Sequence, residues 1–122
     1  MSQSNDASKD KGLEVMTQLF GRPPKPGSMD SDFMQITQGN LFGDIWGRPG
    51  LKIEERSMIT VAALTVLARE QELKVHLHGA KNLGISREKL EEMMIHLAHY
   101  GGWPVGVAGM RKIAEVFDKD KK

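Results

Sequence analysis

The residues best suited to chemistry in this chain are its histidines, arginines and a few aromatics. Counting by helical steps, His76 shares one face with Leu73, Leu77, Ala80 and Leu83. An imidazole set in an apolar stripe can give or take a proton near neutral pH, and burial tunes it further. The same placement suits a core histidine bonded to a backbone carbonyl or to a partner subunit. His78, two residues on, projects away from that face, towards solvent or another chain. His96 and His99 straddle Leu97, and His96 lies one turn before Tyr100. With Trp103 they form a polar-aromatic patch at the Gly101-Gly102 corner. That patch reads as a pocket wall with Tyr100 as donor, or as interhelix packing with locally bonded polar tips.

Other site types find little support. The four histidines form neither an HExxH motif nor an i,i+4 pair, so no metal site is expected. Ser57 lacks the GxSxG setting of a hydrolase nucleophile. Gly43, Gly47, Gly50 and the Gly101-Gly102 pair match no phosphate loop or dinucleotide fingerprint, and no cofactor is expected. The chain has no cysteine. That removes disulfides, zinc-thiolate and iron–sulfur sites, and thiol catalysis. With 17 Lys+Arg against 16 Asp+Glu, the formal net charge is +1, which gives no footprint for nucleic acid. No apolar run approaches the roughly 20 residues of a membrane span. The N-terminal MSQSNDASKDKG lacks a signal peptide's apolar stretch. A soluble, cytoplasmic protein without nucleic-acid or membrane partners is the expectation.

The elements that position these groups read as helices. At 122 residues the chain has one domain's worth of length. Only 6% of it is aromatic while Met numbers eight, a composition suited to close helix packing. Sustained period-two alternation and Asn-Gly or Asp-Gly turns are lacking, so the fold class is all-α, a single-domain bundle of about six helices. Residues 1–8 are expected to be disordered, 9–117 to form the helical domain, and 118–122 to be a charged tail. The spacing of Leu13, Met16, Leu19 and Phe20 predicts a first helix stopped by Gly21. A proline-rich connector follows. Ser28 or Asp30 is expected to cap a second helix burying Phe33, Met34, Ile36, Leu41 and Phe42, with a break at Gly39-Asn40. A third helix begins near Ile53, with Glu54 and Glu55 against its dipole, and is apolar almost all round from Met58 to Ala68. The fourth spans Leu73–Leu83, closed by Gly84. Ser86 caps the fifth, and Pro104 opens a sixth whose stripe is Val107, Met110, Ala114 and Phe117.

Four segments in order carry a family resemblance: LFGDIWGRPGL, RSMITVAALTVLAR, ELKVHLHGAKNLGISREKL and HLAHYGGWPVGVAGM with AEVF after it. From Leu41 to Phe117 this resembles the carboxymuconolactone decarboxylase family, and KGLEVMTQLFG is similar to the start of its stand-alone members. The resemblance implies an all-helical fold assembling as trimers or hexamers, with pockets near subunit contacts. Thiol peroxidases of the wider superfamily use CxxC, where this chain reads Glu72-Leu73-Lys74-Val75-His76, so that chemistry is excluded. The family histidine of E-L-x-x-H falls on His76, and the aromatic and Gly-Trp-Pro elements on Tyr100, Gly102, Trp103 and Pro104. Many relatives carry Glu after the Arg that opens the central helix, whereas this chain has Arg56-Ser57.

The implied reaction is a cofactor-free decarboxylation of a small carboxylated lactone. On the resemblance, His76 transfers the proton, Arg48 or Arg56 orients a carboxylate, and Tyr100 or Trp103 supplies a donor or wall, with His96 secondary. The alternatives are a relative repurposed for isomerisation, cyclisation or hydrolysis, or a non-catalytic oligomeric binding protein. The apolar third helix, Met-rich fifth helix and Trp46 exceed what six short helices easily bury. A homotrimer or dimer of trimers is therefore expected.

Overall fold

The computed structural model describes residues 2–118, with side chains from Asp6 onward. Regular structure among the described residues is entirely helical. The helices are α1 (Ser2–Phe20), α2 (Asp32–Ile36), a π-helical segment (Thr37–Ile45), α3 (Ile53–Val66), α4 (Glu70–Asn82), α5 (Arg87–Gly101) and α6 (Trp103–Phe117). Two compact units meet in sequence between Ile53 and Glu54.

In the first unit α1 packs on the π-helical segment. Val15, Met16 and Leu19 are buried, as are Phe42 and Trp46. Phe42 joins them through an edge-on contact with Phe20 at 6.2 Å and a tilted one with Trp46 at 5.6 Å. The two helices approach so closely that glycine is required twice. A Cβ on Gly12 would strike the Gln38 carbonyl, and one on Gly43 the Ser8 carbonyl. Ser8 Oγ also donates to Asp44, and Gln38 Nε2 donates to the Lys9 carbonyl at 2.9 Å. These contacts explain a correction at the N-terminus. Helix α1 begins at Ser2, so residues 2–8 are not the disordered tail expected from their polarity; Met1 lies outside the described residues.

The cap of α2 is Ser31, whose Oγ accepts from the Met34 amide at 3.2 Å. Ser28 instead donates to the Lys25 carbonyl. Gly39-Asn40 does not break the helix. The chain widens to i→i+5 bonding, as from the Trp46 amide to the Leu41 carbonyl at 2.9 Å. Phe42 is buried as predicted, while Phe33, Ile36 and Leu41 are exposed rather than buried.

The second unit is built from α3 to α6 around Val61, Leu73, Leu77, Ala80, Ile85, Leu90, Met94, Ile113 and Val116. Helix α4 starts at Glu70, ahead of the predicted Leu73, because Glu70 and Glu72 suit a first turn. It closes as read: Gly84, at φ +87°, donates to the Lys81 carbonyl, and Ile85 donates to that of Ala80. Helix α3 ends with the same bond pattern, from Ala68 to Thr65 and Arg69 to Leu64, although Ala68 lacks glycine's freedom at φ +60°. Ser86 caps α5 by accepting from the Lys89 amide at 3.1 Å.

Between α5 and α6 the predicted stripe fails. Val107 and Met110 are exposed, and α6 buries Gly106, Gly109, Ile113 and Val116 instead. Two glycines make the packing face because a Cβ on Gly106 would lie 2.7 Å from Ala98 Cβ, and one on Gly109 would overlap Met94 Sδ. Lys74 of α4 bonds Glu115 of α6 at 3.1 Å, and Lys112 does so at 3.3 Å. The hydrogen bonds from Lys74 and then Lys112 hold the Glu115 carboxyl below its ordinary range. Asp118, expected in the solvated tail, pairs with Arg87; residues 119–122 lie outside the described residues. No described helix is long and apolar enough to cross a membrane.

Candidate active site

Helix α4 places His76 as its periodicity requires. Leu73, Leu77 and Ala80 on its face are buried, and His76 is half-buried, with Nδ1 closed off from solvent. Desolvation disfavours the imidazolium and lowers the His76 pKa. The ring is therefore held mainly neutral near pH 7, with a conjugate acid stronger than that of an exposed histidine. His78 on the same helix is half-buried.

Of the two candidate arginines, Arg56 stands in the first turns of α3, half-buried with Nε enclosed. Its carbonyl accepts from Thr60 Oγ1 at 2.8 Å. Arg56 thus belongs to the same compact unit as His76. Arg48 belongs to the first unit, on the exposed turn after the π-helical segment, where its amide donates to the Ile45 carbonyl at 3.2 Å. Ser57, beside Arg56, is wholly buried, and its Oγ makes no hydrogen bond among the described residues.

The aromatic corner takes a definite form. His96 and Tyr100 stack at 5.0 Å, both exposed, on the last turns of α5. His99 donates or accepts through Nδ1 at the Ile95 carbonyl, 2.7 Å away, and meets Trp103 edge-on at 5.9 Å. The i,i+4 steps of α5 and the turn through Gly102 at φ +107° set these pairs. His96, Tyr100 and Trp103 thus gather at one corner with His99, while His76 occupies a separate helix. Beside the corner, Met94, Ile95, Ala98, Trp103, Gly106, Val107 and Met110 line a groove of about 180 Å³. Sequence reasoning named Val107 and Met110 only as recurring positions of the sixth helix, and the groove they line depends on α5 packing beside them.

A histidine with a lowered pKa and a guanidinium in one unit suit proton transfer near a carboxylate. The family model described as "Carboxymuconolactone decarboxylase family" matches residues 31–115. The chain belongs to the carboxymuconolactone decarboxylase family. It is 36% identical over 120 residues to the 4-carboxymuconolactone decarboxylase of Acinetobacter baylyi, covering 93% of this chain and 90% of that protein. It is 32% identical over 82 residues to the nitrosuccinic acid decarboxylase npaB of Metarhizium robertsii, covering 64% and 57% respectively. Both relatives are named as decarboxylases.

Proposed function

We propose that the protein is a cofactor-free carboxy-lyase acting on a small carboxylated lactone, with His76 as the proton-transfer group. The observation that carries this reading is the 36% identity to a 4-carboxymuconolactone decarboxylase along nearly the whole of both chains. The burial of His76 in α4 supports its role.

In a carboxymuconolactone the leaving carboxylate stands on a carbon conjugated, through a C=C bond, to the lactone carbonyl. Its C–C bond breaks, carbon dioxide departs, and the electron pair moves onto the carbonyl oxygen. The pair then returns to form a C–H bond with a proton from the His76 imidazolium, which solvent reprotonates. The substrate is its own electron sink. The protein's part is to hold the carboxylate, stabilise the oxyanion and place the proton. Arg56 is the carboxylate-orienting group in the unit that holds His76, with Arg48 as the second candidate; Tyr100, Trp103 and His96 offer donors or walls. A nitro group, as in the substrate named for the second relative, is also an acceptor for a leaving carboxylate's electrons, so nitrosuccinate is a second substrate to assay.

Purified protein is expected to release carbon dioxide from 4-carboxymuconolactone. His76→Gln should lower kcat by about 10²–10⁴-fold, the usual worth of a positioned acid or base, with helicity and assembly unchanged. Unaltered turnover in that variant would remove His76 from the mechanism.

A further inference from the structure

Helix α3 carries three hydroxyl side chains, Ser57, Thr60 and Thr65. Two of them bond backward along the helix, as hydroxyls there commonly do. Thr60 Oγ1 donates to the Arg56 carbonyl at 2.8 Å, and Thr65 Oγ1 to the Val61 carbonyl at 2.7 Å. Ser57 does not. Its Oγ is enclosed and makes no hydrogen bond, with the Ile53 carbonyl or with any other described group. Yet Ser57 is wholly buried, on the stripe it shares with Val61 and Thr65. Val61 belongs to the core that α4 enters through Leu73 and Leu77, the residues sharing a face with His76.

A purely structural position has no use for an interior hydroxyl with every bonding site idle, because alanine would fill the place without the orphaned dipole. What this hydroxyl lacks is an acceptor, and the proposed reaction creates one. As the carboxylate leaves, negative charge develops on the lactone carbonyl oxygen, which calls for a donor aimed at it. Arg56 has the carboxylate to hold and His76 the proton to deliver. Tyr100 and Trp103 are 78% and 64% exposed, so water competes for their donors. A donor that water does not reach stabilises developing charge more strongly.

On the carboxy-lyase reading, on which this rests, we infer that Ser57 is the oxyanion donor of the site. Its Oγ–H donates to the lactone carbonyl oxygen as charge gathers there, and the bond weakens when the electron pair returns to carbon. The hydroxyl keeps its proton throughout, so proton transfer stays with His76. Arg56 and Met58, its half-buried neighbours in the chain, are long flexible side chains whose movement opens the way to Ser57 while the α3 backbone stays in place.

Steady-state kinetics on 4-carboxymuconolactone, run beside urea unfolding, test it. Ser57→Ala should lower kcat by about 10²–10³-fold, the usual worth of one oxyanion donor, with KM little changed and the urea midpoint raised. A merely structural serine would not give a variant that is slower and more stable at once. Ser57→Cys, similar in size with a weaker donor, should also lose kcat, and it provides the reading should Ser57→Ala lose helicity. Thr65→Val removes the other buried hydroxyl of α3 and should leave kcat unchanged. Unchanged kcat in Ser57→Ala, with or without a raised KM, would overturn the inference and leave the carboxy-lyase reading in place. So would a lowered urea midpoint, since the hydroxyl would then be bonded before substrate arrives. An equal loss of kcat in Thr65→Val would trace the effect to core packing and overturn it too. A wild type without turnover on the lactone would instead remove the carboxy-lyase reading itself, and this inference with it.

Discussion

Burial of His76 has two titration consequences that run in opposite directions. The folded-state pKa lies below the ordinary imidazole value of about 6.5. Between the folded value and that ordinary one, the unfolded chain takes up a proton that the folded chain refuses. Stability is therefore complete above about pH 6.5 and declines as pH falls through that window, ceasing to change below the folded value. Urea midpoints measured from pH 8 to pH 5.5 should decline, and His76→Gln should decline less. On the proposed mechanism catalysis responds the other way, since carbon protonation would require the imidazolium. The quotient kcat/KM should rise as pH falls and level off below an inflection lying under the ordinary histidine value. Ser57 makes a separate point about buried polarity. Its Oγ is enclosed without a hydrogen bond among the described residues, and such a hydroxyl costs about 1–3 kcal/mol. Ser57→Ala is expected to raise the urea midpoint, and a lower midpoint would show that the hydroxyl is satisfied in solution.

Helix ends and helix crossings set the local energetics of both units. Helices α3 and α4 end in the same pair of backbone bonds, but α4 uses Gly84 and α3 uses Ala68 at φ +60°. A left-handed residue with a Cβ costs roughly 1 kcal/mol relative to glycine. Ala68→Gly should accordingly raise the melting temperature by a few degrees, whereas Gly84→Ala should lower it. At the α5–α6 crossing, Gly106→Ala would set two methyl groups 2.7 Å apart. Overpacking of that kind costs about 1–3 kcal/mol, so this variant should melt earlier and expose the hairpin. Gly12 and Gly43 perform the same function for α1 and the π-helical segment, where the obstructing groups are backbone carbonyls that no side-chain rotation can move.

For the whole molecule, the balance of 17 positive and 16 negative groups leaves little net field to steer a charged partner. The ion pairs of the second unit, such as Lys74–Glu115, bridge helices at the surface and contribute little to stability.

The all-helical class, the ends of α5 at Ser86 and the Gly101-Gly102 corner, and the place of His76 among Leu73, Leu77 and Ala80 were legible in the residues alone. Each depends on neighbours within about one helical turn, where periodicity and capping act directly. The family, too, follows from the ordered segments between Leu41 and Phe117. What tertiary structure alone decided were the burial assignments at crossings. Val107 and Met110 have the spacing of a core stripe, yet Gly106 and Gly109 take the inside because Ala98 and Met94 leave no room for a larger residue. The close approach of Gly43 to the Ser8 carbonyl likewise joins residues distant in sequence. Local pattern cannot anticipate these because the partner that selects the buried face lies on another helix, and excluded volume between backbones outweighs the preference of any single side chain.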